Sequence, residues 1–251
     1  MGAWFDSKWA HQKEREWRAK AKHDRSFFFA LILLYRFSLH LTMHLHYSNY
    51  KNIIFDLGGV LLNIDYNLTA TAFEELGLHN PDHFYSKSVQ KKMFDDFEKG
   101  SISADEFREE FKKHLRTGIA SSDIDVAWNA MLLDLPKERV QLLEKVKQSH
   151  RTFLLSNTNE IHFDAITPYL QKTFGKPGFE DYFEKVYLSY KMGMRKPDAE
   201  IFEFLLKENN LKAEETLFID DSPQHIEGAK KLGINTYWLE VEKESVVDIF
   251  L

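Results

Sequence analysis

The chain has 251 residues, 43% hydrophobic and 14% aromatic, enough for one sizeable core or a core with an insert. Its formal net charge of -6 argues against a nucleic-acid surface, which is built from clustered Lys and Arg. There is no cysteine, which excludes disulfides, thiolate catalysis and zinc ribbons. Any metal must therefore be held by oxygen or imidazole, and oxygen ligands suit magnesium or manganese.

The first 48 residues differ from the rest. They carry Trp4, Trp9 and Trp17, a dense charge mixture from Lys8 to Arg25, and the apolar run Phe27–Tyr35 broken by Arg36. That run is well short of the roughly 20 residues that span a bilayer. A basic start before a short apolar core resembles a signal peptide, but no small-x-small cleavage site follows at Ser38-Leu39-His40. His40 and His44 have metal-ligand spacing without a supporting carboxylate. Residues 1–48 are read as an extension outside the functional fold: either Met43 is the true start, or the segment is a weakly attached appendage. The cytoplasm is the expected compartment, with export or anchoring through 26–45 as the alternative.

Ile53-Ile54-Phe55 is an apolar β-branched and aromatic run, as in a strand buried on both faces of a parallel sheet. It ends in Asp56, at the position where open α/β sheets place ligands, and Gly58-Gly59 let the backbone turn and approach closely. Residues 66–135 lack strand-like runs and read as helices. Leu68–Leu76 and Phe107–Leu115 have helical spacing, with Phe107, Phe111 and Leu115 four apart on one face. Gly77, Asn80-Pro81, Gly100 and Gly118 punctuate this block.

From 136 the pattern alternates: a helix over 137–149, a strand over 151–157, a strand over 185–190, a helix over 198–209, a strand over 216–221, a helix over 223–232, and a strand over 235–240. Alternation of this kind predicts an α/β fold with a parallel sheet covered on both faces. The expected division is a core of 49–67 and 136–251 with an all-helical cap, 68–135, inserted after the first strand.

Polar groups recur where the predicted strands end. Ser156-Asn157-Thr158-Asn159 reads either as a turn satisfying its own backbone or as a hydroxyl and amide aimed at an anion. Asp220-Asp221-Ser222-Pro223 reads as a helix cap with proline in the first turn. A cap needs one acidic residue, however, and two adjacent carboxylates repel unless a cation is near, as a hard divalent ion would be. Lys196 precedes Pro197, which holds it in extended backbone and presents its ammonium from a stiff loop. Together these supply a carboxylate that can attack, a hydroxyl, a cation and a carboxylate pair for a metal. Phosphoryl transfer to an aspartate requires this set, because attacking and attacked groups are both anionic.

The segments Phe55–Asp65, Leu154–His162, Leu188–Asp198 and Leu217–Gly233, in this order, resemble the four motifs of the haloacid dehalogenase superfamily. More narrowly they are similar to its sugar-phosphate phosphatases typified by bacterial α-D-glucose-1-phosphatase, over about residues 50–240 and including the cap stretch Phe97–Phe107. The resemblance implies a Rossmann-like core and assigns Asp56 as nucleophile and metal ligand. It makes Ser156, Asn157 and Lys196 the phosphate-binding residues, with Mg2+ held by Asp56, the Gly58 carbonyl and Asp221, and Asp220 supporting Asp221. Gly58 departs from the pattern, since most phosphatases of the superfamily carry an acid there; the glucose-1-phosphatase-like branch shares the Asp-Leu-Gly form. Asp65 or Glu98 could replace the missing acid. The expected partner is a small phosphorylated metabolite, with no nucleic acid and no stable membrane association. A 2-haloacid dehalogenase and a catalytically idle regulatory module are the alternatives. Phe94, Asp95, Asp96, Phe97, Glu98 and Trp128 are candidates to contact the leaving group.

Overall fold

A computed structural model describes residues 47–79 and 88–250, for 88–91 the backbone only. The expectations for residues 1–46, including Met43 and the His40/His44 pair, lie outside the described residues. Tyr47, counted above with the extension, packs its ring 4.6 Å from that of Phe250.

Five strands, β1 Asn52–Phe55, β2 Arg151–Ser156, β3 Lys185–Leu188, β4 Thr216–Asp220 and β5 Asn235–Trp238, form one sheet in the order β3-β2-β1-β4-β5. Every pairing is parallel. The apolar runs dictate this, for Ile53, Ile54 and Phe55 are fully shielded and helices must cover both sides. On one face Ile54, Phe153, Leu155 and Phe218 pack with Ile201, Phe202 and Leu205 of helix Ala199–Glu208 and with Ile226 and Ala229 of Pro223–Lys230. On the other face, Phe55 meets the rings of Phe183 and Phe250 at 6.1 and 5.9 Å.

Register sets the functional edge. Phe55 pairs with Leu154 on one side and Ile219 on the other, so Asp56, Ser156 and Asp220 emerge within a residue of the same level. The strand expected over 185–190 stops at Leu188, where the chain turns into the short helix Ser189–Met192. Helix Glu160–Phe174, which connects β2 to β3, is absent from the sequence-based expectations; Pro168 inside it interrupts the signal.

Among the described residues, four helices lie between β1 and helix Lys137–Val146: α1 Tyr66–Glu75, α2 Ser88–Glu98, α3 Ala104–Lys112 and α4 Ser121–Asn129. Their core is aromatic. Phe97 stacks on Phe107 at 4.1 Å and Phe73 on Phe111 at 4.4 Å. Ser103 and Glu106 form a reciprocal cap at the start of α3. This block rests on loops that leave the carboxyl ends of β2 and β3. Trp128 Nε1 donates to Asn159 at 3.3 Å, and Lys99 pairs with Asp198 at 2.9 Å. Gly100 passes so near Tyr190 that a Cβ there would sit 2.2 Å from its carbonyl oxygen, so only glycine closes the joint.

Candidate active site

The carboxyl edge of the sheet holds a closed charge cluster. Lys196, wholly buried, donates from Nζ to Asp56 Oδ1 and to Asp220 Oδ2, each at 2.7 Å. Asp220 also accepts from the Ser222 backbone at 2.8 Å and lies 3.0 Å from His225 Nδ1. Burial favours neutral Lys196, but the two carboxylates outweigh it and raise its pKa. Burial would likewise raise Asp220, yet the Lys196 ammonium and His225 more than offset it and hold the carboxyl below its ordinary value.

Asp56 is the carboxylate left short of positive charge. Burial pushes it up to about 7, with Lys196 pulling it down and Asp220 adding to the rise. Asp221 is pushed up to about 6, first by burial and then by Asp220. Oxygens of Asp56, Asp220 and Asp221 lie within 4.8 Å of one another. Asp220 is committed to Lys196, His225 and Ser222, so Asp56 and Asp221 are the donors a cation would find. Two carboxyls whose charged forms are disfavoured by burial and by their acidic neighbours fit a hard divalent ion, which would relieve both. Gly59 makes this approach possible: at φ 75°, an added Cβ would lie 2.2 Å from Asp221 Oδ2. Gly58 next to it has room limited by Ile64, whose Cδ1 would stand 3.3 Å from an added Cβ.

The loop after β2 is tied to the loop carrying Lys196. Asn157 Nδ2 donates to the Lys196 carbonyl at 2.9 Å, and Asn157 Oδ1 accepts from the Lys196 amide at 2.9 Å. The Asn157 side chain therefore positions Lys196, leaving backbone as its means of meeting an anion. Ser156 is buried at the end of β2, and its hydroxyl donates one long bond of 3.4 Å to Asn157 O. Asn159 caps helix Glu160–Phe174 by accepting from His162 N at 3.0 Å. Thus the turn serves its own backbone and also builds the edge. Lys196 enters it from a cis Lys196-Pro197 peptide.

Beside the cluster lies a cavity of about 430 Å³ lined by residues of the helical block and the sheet loops, among them Tyr66, Phe94, Glu98, Trp128, Asn157 and His162. Phe94 stacks on Trp128 at 5.5 Å, and Trp128 on His162 at 5.1 Å. Burial pushes His162 down to about 3, so the ring is neutral, and its Nδ1 lies 2.8 Å from Asn129 Oδ1. Of the residues named as contacts for a leaving group, Phe94, Glu98 and Trp128 reach the cavity. Phe97 is instead buried against Phe107, Asp95 pairs with Arg195 and Asp96 with Lys92. Asp65, named as a substitute acid, caps α1 by accepting from Asn67 N at 2.9 Å. Burial pushes Glu98 up to about 7, while Lys196 lowers it. Arg195, 2.9 Å from its Oε2, also favours the charged form. His225, Asn129 and Arg195 escaped the sequence reading, because a lone polar residue in a helix or loop carries no sign of its distant partner.

The haloacid dehalogenase-like hydrolase family model matches residues 50–233. A D-ribitol-5-phosphate phosphatase from Bacteroides thetaiotaomicron is 36% identical over 188 residues, covering 74% of this chain and 90% of the relative. A sesquiterpene phosphatase from Aspergillus oryzae is 26% identical over 194 residues, covering 74% and 88%. A family enzyme from B. thetaiotaomicron, solved with magnesium and inorganic phosphate, superposes with a TM-score of 0.70 at 36% identity, covering 78% of this chain and 96% of that one.

Proposed function

The chain belongs to the haloacid dehalogenase-like hydrolases and hydrolyses phosphate esters of small molecules; from that premise we propose a magnesium-dependent phosphatase for a small hydroxylated metabolite, a sugar phosphate or its polyol counterpart. The buried Lys196 bridging Asp56 and Asp220 at 2.7 Å each is the observation that carries this reading. It holds one carboxylate and one cation at the sheet edge, where a phosphoryl group would meet both.

An oxygen of Asp56 attacks phosphorus, and the bond from phosphorus to the ester oxygen breaks, leaving an aspartyl-phosphate and an alkoxide that takes a proton from water to depart as the alcohol. Water then attacks that phosphorus, releasing inorganic phosphate and restoring the carboxylate. Lys196 answers charge on the transferring oxygens. Ser156 and the backbone at Asn157 bind them, and Asn157 keeps Lys196 in place through its backbone. Asp56, Asp221 and the Gly58 carbonyl hold Mg2+, which when bound supplies the positive charge that lets two anions meet. Asp220 fixes Lys196 rather than the metal. The helical block acts as the cap, enclosing the leaving alcohol in the cavity lined by Phe94 and Trp128.

The test is phosphate release from a panel of phosphorylated metabolites with and without magnesium. Turnover is expected only with the metal, and Asp56→Asn is expected to lower it by about 10³-fold or more. Metal-independent halide release from 2-haloacids would place the attack of Asp56 at carbon instead. No turnover across the panel would leave a binding module.

A further inference from the structure

Most polar side chains on the cavity wall have their hydrogen-bonding capacity taken up by the protein. Thr69 donates to the Trp128 carbonyl and accepts from the Met131 amide, both at 3.1 Å. Asn157 is bonded at both ends to Lys196, and His162 Nδ1 is engaged by Asn129. Among the described residues of the wall, the Tyr66 hydroxyl, His162 Nε2 and the Glu98 carboxyl have no hydrogen-bonded partner, and Glu98 is the one of them that bears a carboxylate. It ends α2 and faces the same cavity, with Arg195 anchoring it from the loop that carries Lys196. The pair is 2.9 Å apart but off hydrogen-bond alignment, so Glu98 Oε2 and Arg195 Nε are buried with no hydrogen-bond partner. Arg195 is also paired with Asp95, one turn earlier on α2, which fixes the guanidinium from its other end.

Glu98 Oε2 is covered and held against Arg195 without an aligned donor, which folded proteins seldom leave, while the side chain as a whole stays 28% exposed toward the cavity. Here the carboxyl is oriented by an ion pair and borders a space large enough for a small molecule. Such a carboxyl is satisfied by a hydrogen-bond donor, and the donors that the alcohol half of a phosphate ester brings are hydroxyls. The stacked faces of Phe94 and Trp128 offer the same ligand a flat apolar wall for its carbon–hydrogen surface.

We infer that Glu98 is a specificity-determining residue that accepts a hydrogen bond from a hydroxyl of the leaving alcohol, so that the cavity selects phosphate esters of polyhydroxylated chains over those of plain alkyl chains. This rests on the phosphatase reading above and adds the chemistry of the alcohol. A site built to bond a hydroxyl rejects an analogue lacking it far more strongly than an apolar site separates molecules differing by one methylene.

The test compares kcat/KM for a pentitol phosphate and n-pentyl phosphate, two primary esters with similar leaving oxygens. Wild type is expected to prefer the pentitol ester by about 10- to 100-fold or more. Glu98→Ala is expected to reduce that preference about 10-fold or more. Glu98→Gln, which keeps the shape and one acceptor oxygen, should reduce it less. Melting curves and magnesium-dependent turnover of p-nitrophenyl phosphate identify which variants are folded, and Glu98→Gln carries the comparison should Glu98→Ala fail to fold. Equal wild-type turnover of the two esters would overturn the inference. So would a folded variant that loses activity on both in parallel, since the carboxyl would then serve the reaction rather than the choice of alcohol. Wild type inert toward all three esters would instead refute the phosphatase reading, and this inference with it.

Discussion

The sheet edge and the neighbouring cavity are built by different physics. At the edge, Lys196 sits between Asp56 and Asp220, and Asp220 is engaged by His225 and Ser222. The cavity wall is a stack of Phe94, Trp128 and His162 beside a carboxyl that accepts no hydrogen bond. A buried charge cluster is stable only when its members answer one another, which fixes its geometry. An aromatic wall with spare polar capacity has no such constraint and can be altered without opening the cluster. Under the proposed function, the reaction belongs to the first region and the choice of substrate to the second.

Removing the shared cation should break the edge most severely. Lys196→Met leaves Asp56 and Asp220 buried without their ammonium, and the expected cost is about 3–5 kcal/mol of folding stability together with loss of turnover. Asp56→Asn should abolish turnover while keeping or raising the melting temperature, because it removes a carboxyl that burial already pushes up to about 7. A Lys196→Met protein that melts with wild type would show that the edge is not held by its charges.

The complementary test is made in the helical block. Phe107, fully buried between Phe97 and Phe111, should cost about 3 kcal/mol when cut to alanine. Magnesium affinity measured by calorimetry should stay at the wild-type value. A weakened metal site in a folded Phe107→Ala protein would mean that the two regions are coupled.

Acidity sharpens the contrast between particular groups rather than between two whole regions. Asp56 and Asp221 at the edge are raised, whereas His162 in the cavity wall is lowered, although Glu98 in the same wall is raised like the edge carboxyls. Asp56 and Asp221 have folded pKa values raised to about 7 and about 6. Their stabilising contribution in the metal-free protein is full below about pH 4 and is lost as pH rises through the folded values. Magnesium competes with those protons, so its stabilising effect should grow from about pH 5 to 8, by up to about 1.4 kcal/mol per pH unit for each proton displaced. His162 in the cavity wall is pushed down to about 3, so its contribution is full above about pH 6.5 and drains as pH falls. Melting curves with magnesium and with a chelator across this range check both signs, and a magnesium effect independent of pH would contradict the first. The smallest effect belongs to the joint: Lys99→Met removes a partly exposed pair with Asp198 and should cost only about 0.2–1 kcal/mol in chemical denaturation.

Much of the edge was legible in the sequence because its signals are local. A run such as Ile53-Ile54-Phe55 reports its own burial, and Asp56, Ser156 and Asp220-Asp221 stand immediately where such runs stop. The need for glycine after Asp56 was readable too, although not that Gly59 makes way for Asp221 in particular. The cavity was far less legible. Phe94 and Phe97 are indistinguishable by type, yet one lines the cavity and the other is sealed against Phe107. Asp65 and Glu98 looked equally fit to replace an acid, but one caps a helix and the other meets Arg195.

By itself, then, the sequence determined the strand–helix alternation, the family motifs and the kinds of group that end the strands, since these follow from short-range spacing. Only the tertiary structure decided that Lys196 serves two carboxylates, that Asn157 grips the backbone of Lys196, and that Glu98 is left with spare acceptor capacity. Those facts depend on side chains as far apart in the chain as Asp56 and Lys196, which are separated by 140 positions. No local propensity encodes such a meeting; it is fixed when strand register and helix packing bring the loops to one edge.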